Sequence, residues 1–475
     1  MDASRVIRNL QCRSREVTHA GSAGAGNAGA GRAGAGSAGI LPALGPQASC
    51  LPEPLALSIV RAAQAGRMPA APVQARCLRS QRLCSQCLLA LILFLACGVA
   101  CAQDLKLGAS IRGFGFYALE DSPFQTRRDT EFLIFRFTPE VSFNKYVKIE
   151  THLVADLTSP PVSLVTALAT GGTRTYLDLE RNLVDRTDLS SNAAFDRLNL
   201  QIRTDDFQLV LGRQAITWGV NYFWPALDLF APFAPGRIDR DYKPGVDAAR
   251  LIVPVRAYSE VQVVGAILGP STDRDLAVGG LIRWNVKTVD FGVMGGSFHQ
   301  DKVAGVFVSA NVAGTGVRGE LSWTQSGDAQ DQLIDRGVFW RGSFGIDRQL
   351  TPTVSLIFET AWNQYGASDP RDYVLFLNSD RLRRGEINAL GRHHSGVSLN
   401  WRFHPLWSFS NTTLVGWDDQ SALWIPSLVW STGNNSEMTF GAQLGFGQDP
   451  AATGLPQSEY GTSPHTLFAA FKIYL

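Results

Sequence analysis

VKIETHLVADL, residues 147–157, alternates apolar and polar side chains along most of its length. Val147, Ile149 and Leu153 would lie on one face of an extended chain, and Lys148 on the other. Because successive side chains of a β-strand point to opposite sides, the pattern predicts a strand with one apolar and one polar face. The same alternation returns in VRGELSWT, VSLNWRFH and MTFGAQLGF, so most of the chain is predicted to be all-β.

The connections between these strands narrow the choice of fold. Short turns such as NKY, TDD and HPL alternate with long connections, which are residues 158–193, 218–246, 326–336, 365–390 and 448–464. Such alternation is typical of up-and-down barrels that cross a membrane, and closure leaves no backbone group unpaired in lipid. We therefore predict a closed antiparallel up-and-down transmembrane β-barrel of about 18 strands (roughly 16–18), with short periplasmic turns and long extracellular loops.

The beginning of the chain differs in composition from the rest. All seven cysteines lie at or before Cys101. Three arginines precede an apolar run that begins at Leu88, and small residues follow it, which is the pattern of a signal peptide. The run is shorter than the roughly 18 to 20 residues that a spanning helix needs. We predict a signal peptide over residues 68–102, with cleavage near Ala102/Gln103.

Residues 1–67 contain a Gly/Ala tract with nothing to bury. We interpret this segment either as a disordered leader or as a mis-annotated start that precedes translation from Met68. Residues 1–102 hold 10 of the 43 basic and 3 of the 42 acidic residues, which leaves 33 basic and 39 acidic residues in 103–475. This balance argues against nucleic acid as a partner. Residues 103–475 are predicted to form a single barrel domain.

Three motifs suggest a metal or a cofactor, but none has the surroundings it requires. The pair Cys84-x-x-Cys87 has a second cysteine pair only inside the apolar run, and no histidine nearby. Residues 113–118 match a dinucleotide fingerprint, but no helix is predicted to follow. Residues 239–245 are similar to a calcium loop, with Lys243 at a ligand position. We expect no metal and no cofactor.

The last strand, LFAAFKIYL (residues 467–475), places Leu467, Ala469, Phe471, Ile473 and Leu475 on one face. An export signal, a cysteine-free remainder and this closing strand together resemble a Gram-negative outer-membrane porin of an uncharacterised porin-like family. Porin-type barrels typically end in an aromatic residue, and the ending Tyr474-Leu475 departs from that pattern. The resemblance implies a place in the cell outer membrane, with outer-membrane lipid, the assembly machinery and small polar solutes as partners. A monomer and a homotrimer both remain open.

Residues 211–251 resemble a segment of uncharacterised porin-like barrels, in which a strand runs into a loop rich in Asp, Pro and Phe. Four prolines between 225 and 244 forbid regular structure, and the loop is too aromatic simply to face water. We predict that residues 218–246 fold into the lumen as a constriction; a compact extracellular lid is the alternative. The constriction residues would be Tyr222, Trp224, Asp228, Arg237, Asp239, Arg240, Asp241 and Lys243.

Charged residues on the polar faces of the predicted strands are expected to line the pore: Lys148, Glu150, His152, Asp156, Arg197, Arg203, Arg318, Glu320, Arg341, Glu359 and Arg402. Mixed charges give a transverse field that polar solutes tolerate, without a preference for one sign. The predicted function is therefore passive diffusion of small polar solutes or ions.

Two other functions remain possible. One is an exporter or adhesin barrel. The other is an outer-membrane hydrolase, because His299, His393 and His394 lie in or beside predicted outer loops. No serine in a recognised nucleophile context accompanies these histidines, so we expect no enzyme and no catalytic residue.

Overall fold

A computed structural model describes most of the chain after residue 102. The described residues are 103–120, 128–159, 175–272, 274–327, 334, 337–377, 379–451 and 455–475. The predictions for the leader, the signal peptide and the residues before the cleavage site lie outside this part of the chain and stay predictions.

Strands account for most of the described residues. They are β1 (Asp104–Lys106), β2 (Ala109–Ala118), β3 (Asp129–Phe137), β4 (Glu140–Ser142), β5 (Val147–Ser159), β6 (Glu180–Asp185), β7 (Ser190–Arg203), β8 (Gln208–Gln214), β9 (Val246–Arg256), β10 (Ser259–Ile267), β11 (Leu276–Val286), β12 (Val289–Phe298), β13 (Asp301–Val312), β14 (Thr315–Gln325), β15 (Val338–Thr351), β16 (Val354–Asn363), β17 (His393–His404), β18 (Trp407–Gly416), β19 (Ser421–Gly433), β20 (Ser436–Phe446) and β21 (Thr466–Tyr474). Between β16 and β17 lie a 3-10 helix (Pro370–Asp372), α1 (Tyr373–Leu377) and α2 (Asp380–Arg383).

The sheet closes on itself. Each strand pairs antiparallel with its neighbours, and β2 pairs with β21 from Ser110 opposite Tyr474 to Ala118 opposite Thr466. β1 and β4 pair with each other, and they lie in line with β2 and β3. Within the described residues, β6 pairs with β7 alone. The 21 strands of the described chain therefore form a wall of 18 positions. The predicted closed antiparallel barrel of about 18 strands is confirmed.

The two faces of the wall differ in exposure, as β21 illustrates. Leu467 is 48% exposed and Ile473 is 37% exposed, whereas Phe468 and Ala470 between them are 5% and 4% exposed. Ala469 and Phe471 are also exposed, so the predicted outward face of the closing strand is confirmed. An apolar outward face is what a barrel wall presents to lipid.

Two predicted elements differ in detail. The segment near residues 130–143, which the sequence pattern predicts as a single strand, is divided into β3 and β4 around Pro139, which has no N–H to give to a ladder. The connection predicted over 365–390 contains the three short helical segments, which no strand pattern could indicate. Among the described residues, none of the helices is both long and apolar enough to span a membrane.

Candidate functional site

The connection between β8 and β9, residues 215–245, forms the centre of the site, and we call it the lumen loop. It has no regular secondary structure. Its residues contact inward-facing side chains of β2, β7, β14, β16 and β21, which lie on well-separated sectors of the wall. The loop therefore crosses the interior of the barrel. Its role as a constriction stays a prediction.

Two wall carboxylates hold the first part of the lumen loop by its backbone. Glu320 of β14 accepts hydrogen bonds from the N–H groups of Asn221 at 2.6 Å and Leu227 at 2.9 Å. Glu359 of β16 accepts from three consecutive N–H groups, those of Tyr222, Phe223 and Trp224, at 2.7 to 2.9 Å. A carboxylate offers only acceptors, so it suits a loop whose backbone donors have no strand partner.

Apolar packing holds the same loop against one side of the wall. Trp218 and Phe230 are both 0% exposed, and their ring centroids lie 5.0 Å apart. Phe230 packs in turn against Phe298 of β12 at 5.6 Å. Trp218 also donates from its indole Nε1 to Gln262 Oε1 of β10 at 3.0 Å. Buried apolar side chains from the inward faces of β10 to β13 thus pack with the loop into a core that fills part of the lumen, with Gln262 as a polar neighbour.

Charged contacts hold the far end of the loop against the opposite side. Asp239 pairs with Arg112 of β2. Asp241 accepts from Lys472 Nζ at 2.9 Å and from the Tyr474 hydroxyl at 2.6 Å, both on β21. Residues 239 and 241 therefore dock on the seam where the first and last strands of the barrel pair.

An aromatic ring is clamped between arginines beside this seam. The ring centroid of Tyr242 lies 5.0 Å from the guanidinium carbon of Arg112 and 4.1 Å from that of Arg136 on β3. Arg136 also donates to Asp196 at 2.6 Å. Asp196 is the extra residue of a β-bulge in β7, because His152 and Leu153 pair with Arg197 and Phe195. The bulge therefore positions a carboxylate that the strand alternation does not reveal.

The lumen loop is also cross-linked to itself. Lys243 Nζ lies 2.6 Å from Asp228 Oδ1 and donates to the Ile216 carbonyl at 2.6 Å. Burial raises the pKa of the Asp228 carboxyl above its ordinary value, and the Lys243 ammonium opposes that effect. Arg240 donates to the Tyr222 carbonyl at 2.7 Å, and its guanidinium carbon lies 4.3 Å from the Tyr222 ring centroid. The loop thus keeps its shape through its own contacts as well as through the wall.

The predicted constriction residues divide between anchoring and exposure. Asp228 and Lys243 pair with each other inside the loop. Asp239 and Asp241 pair with cationic side chains at the seam. Tyr222 is 41% exposed, and the guanidinium of Arg240 lies over its ring. These two side chains therefore form part of the loop's accessible surface. Arg237 lies over the ring of Phe233, 5.3 Å from its centroid.

The predicted pore-lining residues fall into three groups, and their role stays a prediction. Lys148, Glu150, His152, Asp156 and Arg318 are partly exposed on the inward face. Arg197, Glu320, Arg341 and Glu359 are also on that face but are only 1 to 6% exposed, because loops cover them. Arg203 and Arg402 are exposed at the short-turn ends of β7 and β17.

A second loop, residues 364–392, carries the three helical segments, and we call it the helical loop. Arg381 of α2 is 1% exposed, pairs with Asp301, and lies 3.1 Å from Glu386 Oε1. Burial alone would raise the pKa of Glu386, but the guanidinium groups of Arg381, Arg341 and Arg384 outweigh it and lower that pKa to about 2. The helical loop is therefore organised around a buried ionic cluster.

A glutamate from a third loop joins the helical loop to the wall. Glu459 Oε2 lies 3.0 Å from His394 Nε2 of β17. The same oxygen accepts from the backbone N–H groups of Leu390 and Gly391 at 3.1 and 3.2 Å. The described residues hold no group of three or more His, Cys, Asp or Glu side chains placed to bind a metal ion.

The sequence prediction missed several residues of this site, among them Arg112, Arg136, Lys472 and Glu386. Arg112, Arg136 and Lys472 lie on inward-facing positions of strands, so the alternation used for the other pore-lining residues could have found them. Glu386 lies in a loop, where no periodic signal exists.

Comparisons with known proteins give structural likeness only. No family model matches the chain, and no curated protein matches it. OccAB4 of Acinetobacter baumannii matches with a TM-score of 0.48 and 6% sequence identity, over 79% of this chain and 98% of that chain. OccK3 (OpdO) of Pseudomonas aeruginosa matches at 0.48 and 11% identity, over 79% and 96%. OprB of Pseudomonas putida, in a low-pH structure, matches at 0.38 and 9% identity, over 78% and 92%. Likeness at this level carries no weight for function.

Proposed function

We propose that the protein is an outer-membrane channel of the porin type, through which small polar solutes or ions diffuse passively. The lumen loop is its constriction. The short turns face the periplasm and the long loops face outside. Outer-membrane lipid surrounds the wall, and the assembly machinery inserts the chain, whether as a monomer or as a homotrimer. No catalytic step belongs to this function.

One observation carries the proposal: charged side chains on inward-facing strand positions keep contact with solvent. The side chain of Lys148 is 33% exposed and pairs with Glu140 at 2.9 Å. On another sector, Arg318 and Asp347 are 30% and 32% exposed and pair at 2.7 Å. Inward-facing charges stay solvated only if water occupies the space in front of them, because burial of an ion is costly. Water-filled space with mixed charges is what a polar solute needs.

The anchors of the lumen loop support its role as the constriction, because they hold it across the interior of the barrel. Glu320 and Glu359 hold residues 220–227 through backbone hydrogen bonds, and the seam holds Asp239 and Asp241. A loop fixed at both ends leaves a passage of constant width, so conductance should be steady. Accessible groups of the loop, including Tyr222 and Arg240, would then contact the passing solute.

Single-channel conductance in a planar bilayer tests the proposal. The protein should give discrete current steps, and a variant that lacks residues 222–242 should give larger steps because the narrowest part has been removed. A variant with Lys287→Gln, in the short turn between β11 and β12, should match the native conductance.

Two results would count against the proposal. Absence of current from protein that is folded and heat-modifiable would mean a closed barrel and would contradict the channel. Current steps that stay unchanged after the deletion would leave the channel but remove the constriction. The reversal potential under a salt gradient would report the ion preference.

A further inference from the structure

A small cavity lies where the lumen loop meets the helical loop. Its volume is about 50 Å³. Trp224 and Pro225 line it from the lumen loop, Glu386 and Asn388 from the helical loop, and Arg341 from β15. The cavity is therefore formed only when both loops are in place against the wall.

Two residues that line this cavity carry three nitrogen donors with no hydrogen-bond partner within the described chain. Arg341 is 6% exposed, and its Nη1 donates to the Glu386 carbonyl at 3.1 Å. Its Nε and Nη2 atoms are buried and unpaired, and so is the indole Nε1 of Trp224. The nearest carboxylate oxygen of Glu386 lies 3.9 Å from Nη2, which is too long for a hydrogen bond.

The unpaired atoms share one chemical character. Every buried side-chain polar atom that lines the cavity and has no partner is an N–H donor. A buried donor without an acceptor is unfavourable, and a guanidinium cannot lose its proton to relieve the situation. A water molecule could accept from these donors, but it would bring two hydrogens that need acceptors of their own. An anion only accepts, so it complements this set of donors more fully.

The carboxylates around the cavity are already engaged. The oxygens of Glu386 lie 3.1 and 3.2 Å from Arg381 Nη1, and one of them lies 3.8 Å from Arg384 Nη2. Glu320, on the neighbouring strand β14, accepts from backbone N–H groups of the lumen loop. His394, which also lines the cavity, is bound to Glu459. The carboxylates near the cavity are thus bound to other groups. The N–H donors of Arg341 and Trp224 that have no hydrogen-bond partner remain for a ligand.

We infer that this cavity binds one monovalent anion of halide size, held by Arg341 and Trp224. A space of about 50 Å³ is large enough for one halide ion. The bound anion links the lumen loop to β15 and to the helical loop, so it stabilises the closed arrangement of both loops. This inference goes beyond the proposed channel, since a barrel without an open pore would bind the same ion.

Thermal unfolding of the purified protein in detergent tests the inference. Chloride replaces gluconate, a bulkier organic anion, at constant ionic strength. The unfolding midpoint should rise with chloride concentration, because a ligand that binds only the folded state stabilises it. Trp224→Phe keeps the ring but removes the N–H, and it should require about 10-fold more chloride for the same rise. Trp284→Phe, on the outward face of β11, is the matched control and should behave as the native protein.

Anomalous diffraction from crystals grown with bromide gives an independent reading. A bromide peak within hydrogen-bond distance of Trp224 Nε1 and Arg341 would support the site. A peak elsewhere only, or an ordered water in the cavity, would overturn it. A native midpoint that does not respond to chloride, or an equal response in Trp224→Phe, would overturn it as well. Neither readout depends on current through the barrel, so failure here and failure of the channel proposal are distinguishable.

Discussion

The two ends of the lumen loop are held by different kinds of force. At the β10–β13 side, Trp218 and Phe230 are fully buried in an apolar core. At the β2–β21 seam, Asp239 and Asp241 are held by ion pairs, and the two carboxylate side chains are 14% and 25% exposed. Apolar packing does not depend on pH, whereas an ion pair is lost when its carboxylate is protonated, and salt weakens it to the extent that it is exposed. The loop therefore has one firm attachment and one that responds to conditions.

The wall carboxylates between these two ends form a third kind of attachment. Glu320 and Glu359 are 5% and 1% exposed and bind backbone amides instead of cations. Hydrogen bonds to a buried carboxylate are stronger than neutral ones and are not screened by solvent salt. The contribution of these hydrogen bonds to the free energy of unfolding should lie between that of the apolar core and that of the seam contacts. Three substitutions compare the attachments directly.

The largest effect is expected at the apolar end. Phe230→Ala removes a fully buried ring that packs on Trp218 and Phe298, and it leaves a cavity that the barrel wall cannot collapse to fill. The free energy of unfolding should fall by about 4 kcal/mol. Equilibrium unfolding in urea measures it. Phe440→Ala, on the outward face of β20, is the control and should lose much less. Equal losses would mean that the apolar end does not hold the loop.

An intermediate effect is expected at the wall carboxylates. Glu359→Gln keeps the shape of the side chain but replaces one acceptor oxygen by a donor NH₂, which faces the N–H groups of Tyr222 to Trp224. The free energy of unfolding should fall by about 2 kcal/mol. Urea unfolding again measures the free energy of unfolding. Single-channel recording should show added current noise, because the loop is held less tightly. Glu131→Gln, at an exposed position of β3, should leave both unchanged. A quiet channel in Glu359→Gln would contradict the anchoring role.

The smallest effect is expected at the seam. Asp241→Asn weakens the contacts with Lys472 and Tyr474, and it should cost about 1 kcal/mol or less because the pair is partly exposed. Burial raises the pKa of Asp241, but hydrogen bonds from Tyr474 and Lys472 outweigh it, so the pKa is lowered overall. A lowered folded pKa stabilises the protein above the unfolded value of about 3.9 and loses that contribution as the pH falls through the folded value.

The pH profile of unfolding checks this prediction. Below about pH 4, part of the native stability should be lost, and Asp241→Asn should lose less over the same range. Asp206→Asn, in the short turn between β7 and β8, is the control and should follow the native profile. Identical profiles for Asp241→Asn and the native protein would show that the seam contacts do not contribute.

The sequence predicted the wall with few errors because each strand carries its own evidence. The outward positions of β21 can be read from LFAAFKIYL alone, since side chains alternate with a period of two. The sequence pattern was less informative for β10, where Val263 faces outward and Val264 faces the inner core. When both faces are apolar, alternation cannot tell which one faces water. The apolar core on one side of the lumen was therefore not foreseen.

The sequence by itself determined that the chain forms a closed all-β wall of about 18 strands. It also indicated charges on the polar faces of those strands, although not Arg112, Arg136 or Lys472. Both depend on patterns within a few residues. The tertiary structure alone decided which of those charges remain in water and which are covered. Glu320 binds amides 93 to 100 residues away, and Asp241 binds β21 at a separation of 231 residues. Nothing local fixes such contacts, since they exist only after the barrel has closed around the loop.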